Sequence, residues 1–136
     1  MLTTYYNVDR EDYLNAGKIS SQIKKNLKEL GLDNDLLRRI AVACYEAEIN
    51  MVIHSYGGKI GLKIDEDYIE LSFIDVGPGI KNLKQAFVAG YSTANDKARS
   101  MGFGAGMGLN NIKRVSDKLD IETSEKGTSL ILGFKI

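Results

Sequence analysis

Hydrophobic and polar positions along the chain follow two different periods, which divide it into helices and strands. Apolar residues spaced three and four apart lie on one face of a helix, and this spacing predicts three helices, over residues 11–30, 35–55 and 109–119. Alternation of apolar and polar residues, or enrichment in Thr, Tyr and Val, predicts five strands, over residues 2–8, 59–65, 68–74, 120–123 and 128–136. The predicted order is one strand, two helices, two strands, a long intervening segment, one helix and two strands.

Residues that favour helix ends mark the limits of the first two helices. Asp9 is a plausible N-cap for the first helix, and Gly31 supplies a stop after it. Asp33 or Asn34 can cap the second helix. These residues predict where the helices begin and end, without reference to the rest of the fold.

This order of elements predicts an α+β fold. Helices are expected on one face of a mixed, mostly antiparallel sheet, which together make a two-layer sandwich. The chain has 136 residues, of which 43% are hydrophobic, so it can bury one substantial core. We therefore expect a single domain over residues 1–136.

The composition argues against several classes of function. Lys and Arg total 18, as do Asp and Glu, so there is no basic field for nucleic acid and no polybasic run for a membrane surface. No apolar run is long enough for a signal peptide or a membrane span, and the one cysteine, Cys44, cannot form an internal disulfide. A cytoplasmic protein is expected, in which Cys44 packs among small residues rather than acting as a nucleophile.

Glycines alternate in the stretch GFGAGMGL, at positions 102, 104, 106 and 108, directly before the third predicted helix. They are explained either by a flexible loop, or by close packing of helix and sheet, or by a cradle of backbone N–H groups for a phosphate. The stretch is not a Walker A loop, because no Gly-Lys-Ser/Thr closes it. It therefore allows a close approach without identifying what approaches.

Glu46, Asn50 and His54 fall four residues apart on the second predicted helix, so they share one face. A solvated polar stripe would explain them. However, Asn50 interrupts an apolar stretch, where its amide needs a partner, and its oxygen suits a hard cation such as Mg²⁺. Glu46 would then be placed to accept a proton, whereas Glu48 points elsewhere, about 200° round the helix.

The segment DVGPGI, residues 75–80, follows directly from a predicted strand. Turn formation accounts for its Gly and Pro residues, and Asp75 would then be a turn cap. Alternatively, Asp75 accepts a hydrogen bond from the exocyclic amine of adenine, and the glycines leave room for a flat ring.

The three motifs occur in a recognisable order along the chain: Glu46-x-x-x-Asn50, Asp75-x-Gly77-x-Gly79 and Gly104-x-Gly106-x-Gly108-Leu109. They resemble the N, G1 and G2 boxes of the GHKL ATPases, the superfamily of gyrase, heat-shock-90, histidine-kinase and mismatch-repair ATPase domains. The small size, the form Asn50-x-x-x-His54 and the closing Gly127-Thr128 pair look most like the anti-sigma-factor serine kinases of bacteria. The resemblance extends over nearly the whole chain.

The resemblance implies a Bergerat-type ATP-binding fold and a role for each matching residue. Glu46 would be the general base, Asn50 the Mg²⁺ ligand and Asp75 the adenine contact. The remaining residues implied to bind ATP are Gly77, Gly79, Gly104, Gly106, Gly108, Leu109 and Thr128. Residues 90–101 would form an ATP lid in which Lys97 or Arg99 meets the γ-phosphate, with Gly102 as a hinge, and His54 is not expected to accept a phosphoryl group.

The implied activity is ATP-dependent phosphorylation of a serine on a small anti-sigma-factor antagonist. The surface that binds the antagonist, or one beside it, would also bind a sigma factor. The sequence after the glycines, NNIKRVSDKLDIE, also resembles the switch-kinase branch of the family, whose members need not bind a sigma factor. Dimerisation is expected from the resemblance. Three alternatives stay open: an ATP-binding interaction module without kinase activity, a histidine-kinase-like catalytic domain, or a glycine-rich fold without a ligand.

Overall fold

The computed structural model describes residues 2–80 and 108–136 of the chain. Within them, three α-helices are α1 (Lys18–Glu29), α2 (Asn34–His54) and α3 (Gly108–Val115), and a short 3-10 turn at Tyr13–Asn15 precedes α1. The five strands are β1 (Leu2–Asp9), β2 (Gly57–Ile64), β3 (Tyr68–Asp75), β4 (Lys118–Ser124) and β5 (Gly127–Lys135). None of these three helices is both long enough and apolar enough to cross a membrane.

The five strands form one sheet in the order β1-β2-β3-β5-β4. Each of the four strand pairings in this part of the chain is antiparallel, in agreement with the predicted mostly antiparallel sheet. The β2–β3 hairpin turns at Asp65, because its carboxylate accepts hydrogen bonds from the N–H groups of Asp67 and Tyr68 at 3.0 and 2.8 Å. This hairpin places the end of β3 beside the start of β2.

The core lies between the helices and one face of the sheet. On β3, Ile69, Leu71 and Phe73 are buried, whereas the alternate residues Glu70 and Ser72 are half-buried and point to the other face. From the helices, the buried side chains include Ile23, Leu27, Ile40, Ala43, Cys44, Ala47, Leu109 and Ile112. Full burial of a large aliphatic or aromatic side chain stabilises the fold by about 1.5–3 kcal/mol. The two-layer α+β fold is therefore confirmed.

The first helix begins later than its hydrophobic spacing predicts. Asp9 ends β1 rather than capping a helix, and α1 starts at Lys18, after Gly17 in a left-handed conformation with φ of +92°. Its cap is the carboxylate of Glu48 on α2, which accepts hydrogen bonds from the N–H groups of Gly17 and Ser20 at 3.0 and 2.9 Å. An acceptor 28 residues away along the chain is outside any local capping pattern.

The third helix ends earlier than predicted. It stops at Val115, and Leu119 belongs to β4, where it pairs with Leu132 of β5. Leu119 lies four residues after Val115, which is a helical spacing, but the two residues belong to different elements. Both contact the same core, and this explains why the sequence pattern extended the helix too far. Asp33 is the N-cap of α2, as predicted, and its side chain accepts hydrogen bonds from the N–H groups of Asp35 and Leu36.

Cys44 is fully buried in the core. Burial, and then the nearby carboxylate of Glu48, raise the pKa of its thiol far above the usual range. The thiol therefore stays protonated at neutral pH and is a poor nucleophile, which confirms the packing role predicted for it.

Candidate functional site

Glu46 and Asn50 lie one turn apart on α2, and the start of α3 packs directly against both. Each side chain is half-buried. A Cβ atom added to Gly108 would lie 3.2 Å from Oε2 of Glu46 and 3.3 Å from both terminal atoms of the Asn50 amide. Gly108 thus allows a contact that a side chain would crowd, and the N-terminal end of α3, with its partial positive charge, lies beside the carboxylate. The sequence placed these three residues in one site, and the structure brings them together.

Asn111 is a member of the same cluster that the sequence patterns did not indicate. Its Nδ2 donates a hydrogen bond to Oε1 of Glu46 at 3.4 Å, and its Oδ1 accepts one from the guanidinium of Arg114 at 2.8 Å. Asn111 lies three residues beyond Gly108, so it is on the same face of α3. That spacing is the one signal from which its position could have been predicted.

Asp75 and Thr128 meet where β3 ends and β5 begins. The N–H of Thr128 donates a hydrogen bond of 2.8 Å to Oδ1 of Asp75. Burial raises the pKa of the Asp75 carboxyl above its ordinary value, and the hydrogen bond from Thr128 opposes that shift. A half-buried carboxylate with one oxygen held by the backbone is oriented to accept a further hydrogen bond through the other oxygen.

The loop after β3 is fixed to the β4–β5 hairpin. The N–H of Gly77 donates to the carbonyl of Lys126 at 3.1 Å, and the N–H of Ile80 donates to Oγ1 of Thr123 at 2.7 Å. Gly79 has φ of +72°, and an added Cβ would collide with the carbonyl oxygen of Ser124, so both the conformation and the contact require glycine there. These contacts hold the loop in one conformation beside Asp75.

The end of α2 connects the two groups of residues. A Cβ added to Gly77 would lie 3.2 Å from Cα of Ser55 and 3.3 Å from N of Tyr56. The N–H of Tyr56 also donates a hydrogen bond of 2.7 Å to the carbonyl of Val76. The loop that carries Gly77 and Gly79 therefore packs against the end of the helix that carries Glu46 and Asn50.

Several residues assigned to the site from the sequence lie outside the described residues. They are Gly104 and Gly106 of the glycine stretch, the predicted hinge Gly102, and the proposed lid over residues 90–101 with Lys97 and Arg99. Leu109 is described, and its side chain is buried in the core. Any contact of Leu109 with a ligand would therefore be made by its backbone.

His54 is the last residue of α2 and is half-buried. Burial lowers the pKa of its imidazole below the ordinary 6.5, because burial disfavours the charged form. The neutral imidazole is therefore favoured in the folded protein at neutral pH.

Acidification should cost stability through His54. The unfolded chain binds a proton at pH values where the folded protein does not, so the contribution of His54 is complete above pH 6.5 and is lost as pH falls below it. We expect the free energy of unfolding to fall by up to about 1.4 kcal/mol per pH unit for this one group. Urea denaturation at pH 7.5, 6.5 and 5.5 measures the fall, and the His54→Gln variant should show a shallower one. If the free energy of unfolding fell equally with pH in the two proteins, His54 would not be the group responsible for the fall.

The sequence of this chain matches a known class of domain. Residues 10–134 match the family model of the histidine kinase-like ATPase domain. The chain therefore belongs to that family, and the resemblance stated from the N, G1 and G2 boxes is confirmed.

Within this class, the similar proteins are named as regulators of sigma factors or as a kinase. An anti-sigma F factor of Clostridium novyi is 35% identical over 104 residues, which cover 71% of this chain and 69% of that protein. An anti-sigma F factor of Clostridium beijerinckii is 33% identical over 99 residues, covering 68% of this chain and 65% of that protein. The serine/threonine-protein kinase RsbT of Bacillus subtilis is 28% identical over 115 residues, covering 80% of each chain. The chain spans about two thirds of the length of the anti-sigma F factors that it matches.

Proposed function

We propose that this protein is an ATP-dependent serine/threonine protein kinase that phosphorylates a serine of a small anti-sigma-factor antagonist. It would also regulate a sigma factor or a switch partner by binding it. The names of the similar proteins support this function, since they are anti-sigma F factors and a serine/threonine-protein kinase. The family, that of ATPase domains, supports ATP as the phosphoryl donor.

One observation carries the proposal: a carboxylate and an amide oxygen stand together at the start of α3. Glu46 and Asn50 lie beside Gly108, at the point where the glycine stretch of the sequence joins the helix. A helix N-terminus favours phosphate oxygens, an amide oxygen suits Mg²⁺, and a carboxylate accepts a proton. Groups suited to these three tasks of phosphoryl transfer are thus neighbours, which supports the proposal.

The residues fit a magnesium site of the kind that depends on the nucleotide. Within residues 2–80 and 108–136, no group of three or more His, Cys, Asp and Glu side chains is arranged to hold a metal ion. Mg²⁺ commonly has only one or two protein ligands and completes its octahedron with phosphate oxygens and water. Asn50 would supply the protein oxygen, and the bound ion would neutralise charge that develops on the phosphates.

In the proposed reaction, Glu46 accepts the proton of the substrate serine hydroxyl. The serine oxygen forms a bond to the γ-phosphorus as the bond to the leaving ADP oxygen breaks. Gly108, with Gly104 and Gly106 as predicted from the sequence, would direct backbone N–H groups at the phosphates. Asp75 would accept a hydrogen bond from the adenine amine, in a pocket shaped by the loop of Gly77 and Gly79 next to Thr128.

The proposed activity is tested by phosphoryl transfer. The protein is incubated with radiolabelled ATP, Mg²⁺ and a panel of candidate antagonist proteins, and label on the antagonist is measured with and without EDTA. We expect label on serine, and none in EDTA. Tight ATP binding without transfer to any antagonist would instead favour the interaction-module alternative.

Asp75→Asn should weaken ATP binding by about tenfold or more, measured by calorimetry with Mg²⁺. The carbonyl of the new amide can still accept the hydrogen bond of Thr128, which keeps the β3–β5 contact. The amide nitrogen then replaces the second carboxylate oxygen and presents a donor to the donor of adenine. Unaltered affinity would refute the adenine assignment.

Asp117→Asn is the matched control for this substitution. Asp117 also accepts a backbone hydrogen bond, from Lys135 at 2.8 Å, but it lies where α3 leads into β4. The affinity of the Asp117→Asn variant for ATP should equal that of the unsubstituted protein. Equal losses in both variants would point to a general loss of structure instead of a lost adenine contact.

A further inference from the structure

Glu46 is held by a side chain that belongs to none of the three sequence motifs. Its Oε1 accepts the hydrogen bond of Asn111, and its Oε2 faces the backbone of Gly108. Both contacts come from the first turn of α3, so they constrain the carboxylate from one side. A general base requires its oxygen to be within hydrogen-bond reach of the proton it accepts, which makes the orientation of this carboxylate important.

The orientation of the Asn111 amide is determined by the chemistry of its two partners. The guanidinium of Arg114 has only donors, so the atom of Asn111 that faces it at 2.8 Å is the carbonyl oxygen. The carboxylate of Glu46 has only acceptors when ionised, so the amide nitrogen faces it. Arg114 therefore holds Asn111 in the orientation that donates to Glu46.

The position of Asn111 is fixed by the packing of α3. Leu109 and Ile112 on either side of it are buried in the core. At the other end of the helix, the guanidinium of Arg39 on α2 donates a hydrogen bond of 3.0 Å to the carbonyl of Val115. The helix is thus attached to α2 at both ends, so the backbone of Asn111 cannot move away from Glu46 without loss of these contacts.

We propose that Asn111 is a positioning residue for Glu46, and that Arg114 orients Asn111. The role rests on the proposed function, because it assumes that Glu46 acts as the base. Asn111 does not touch substrate; it holds the Glu46 carboxylate in the orientation from which it can accept the proton of the substrate hydroxyl. Neither Asn111 nor Arg114 is proposed to bind ATP.

Steady-state kinetics of antagonist phosphorylation test this role. Asn111→Ala should lower kcat about tenfold and change the KM for ATP by less than about twofold, since a hydrogen bond to a charged group is lost. Asn111→Asp keeps the shape but has no donor, so it should lose at least as much. Arg114→Ala should lower kcat by a smaller factor, about threefold.

Asn110→Ala is the matched control, because Asn110 is the adjacent residue of the same type, about 100° round the helix. The kcat of the Asn110→Ala variant should equal that of the unsubstituted protein. Equal kcat values for Asn111→Ala and Asn110→Ala, or full activity in Asn111→Asp, would overturn the positioning role alone. Absence of transfer by the unsubstituted protein would overturn the proposed function, and the positioning role with it.

A spectroscopic measurement detects the contact without any activity. The side-chain NH₂ signals of Asn111 in a ¹H–¹⁵N correlation spectrum are assigned by their loss in Asn111→Ala. We expect these signals to shift in Glu46→Ala, which removes the acceptor, and to stay unchanged in Glu122→Ala, which removes an exposed carboxylate on β4. Unchanged signals in Glu46→Ala would show that Asn111 does not donate to Glu46, and would overturn the proposal.

Discussion

Glu46→Gln is expected to lower the rate of phosphoryl transfer by a factor of about 10² to 10⁴, the usual contribution of a general base. The substitution keeps the size of the side chain, and its carbonyl oxygen can still accept the hydrogen bond of Asn111. What it removes is the ability to take a proton from the serine hydroxyl. The rate is measured by label transfer from ATP to the antagonist at saturating concentrations of both.

The affinity of the same variant for Mg-ATP separates loss of the base from loss of the site. Calorimetry should give a dissociation constant within about threefold of the unsubstituted value, a change of less than about 0.7 kcal/mol. Glu122→Gln serves as the control and should transfer label at the unsubstituted rate. If Glu46→Gln transferred label as fast as this control, Glu46 would not be the base.

Secondary structure was predictable wherever one face of an element is buried. The alternation of Ile69, Leu71 and Phe73 identifies β3, because every second residue points to the core. The limits of the helices were less predictable, because they depend on contacts between distant residues. Asp9 is of a residue type favoured at helix N-caps, yet the N–H groups at the start of α1 donate their hydrogen bonds to Glu48 of another helix.

The candidate site shows the same division. Glu46, Asn50 and Asp75 belong to ordered motifs, so the sequence indicated them before any contact was known. Asn111 and Thr123 belong to none of the three boxes, and their roles depend on a contact between two helices and on a contact between β4 and the loop after β3. Such residues can be identified only from the structure, because the fold brings them into contact with partners that are distant in the sequence.

Glu48 differs from Glu46 by half a turn of α2, and that difference gives the two carboxylates different roles. Glu48 is 2% exposed and points to α1 instead of the candidate site. Its two oxygens accept hydrogen bonds from the N–H groups of Gly17, Ile19 and Ser20, at 3.0, 3.4 and 2.9 Å. The carboxylate thus replaces the local cap that the sequence before α1 lacks.

Glu48→Ala should therefore lower the free energy of unfolding by about 3 kcal/mol, because buried N–H groups lose their acceptor. For a domain of this size, the midpoint of thermal unfolding should fall by about 10 °C. Glu48→Gln should show an intermediate loss, since its carbonyl oxygen satisfies one side while its amide group faces a donor. Glu29→Ala, an exposed carboxylate on α1, is the control and should change the midpoint little.

These variants are compared by thermal and urea denaturation, and ATP affinity is measured well below the lowered midpoint. Affinity should be retained in Glu48→Ala, because its contacts are to α1 and not to the residues around Gly108. A midpoint within about 2 °C of the control would contradict the capping role. That result would mean that the cost of burying the carboxylate cancels the hydrogen bonds it accepts, since buried charges are often close to neutral in their net effect on stability.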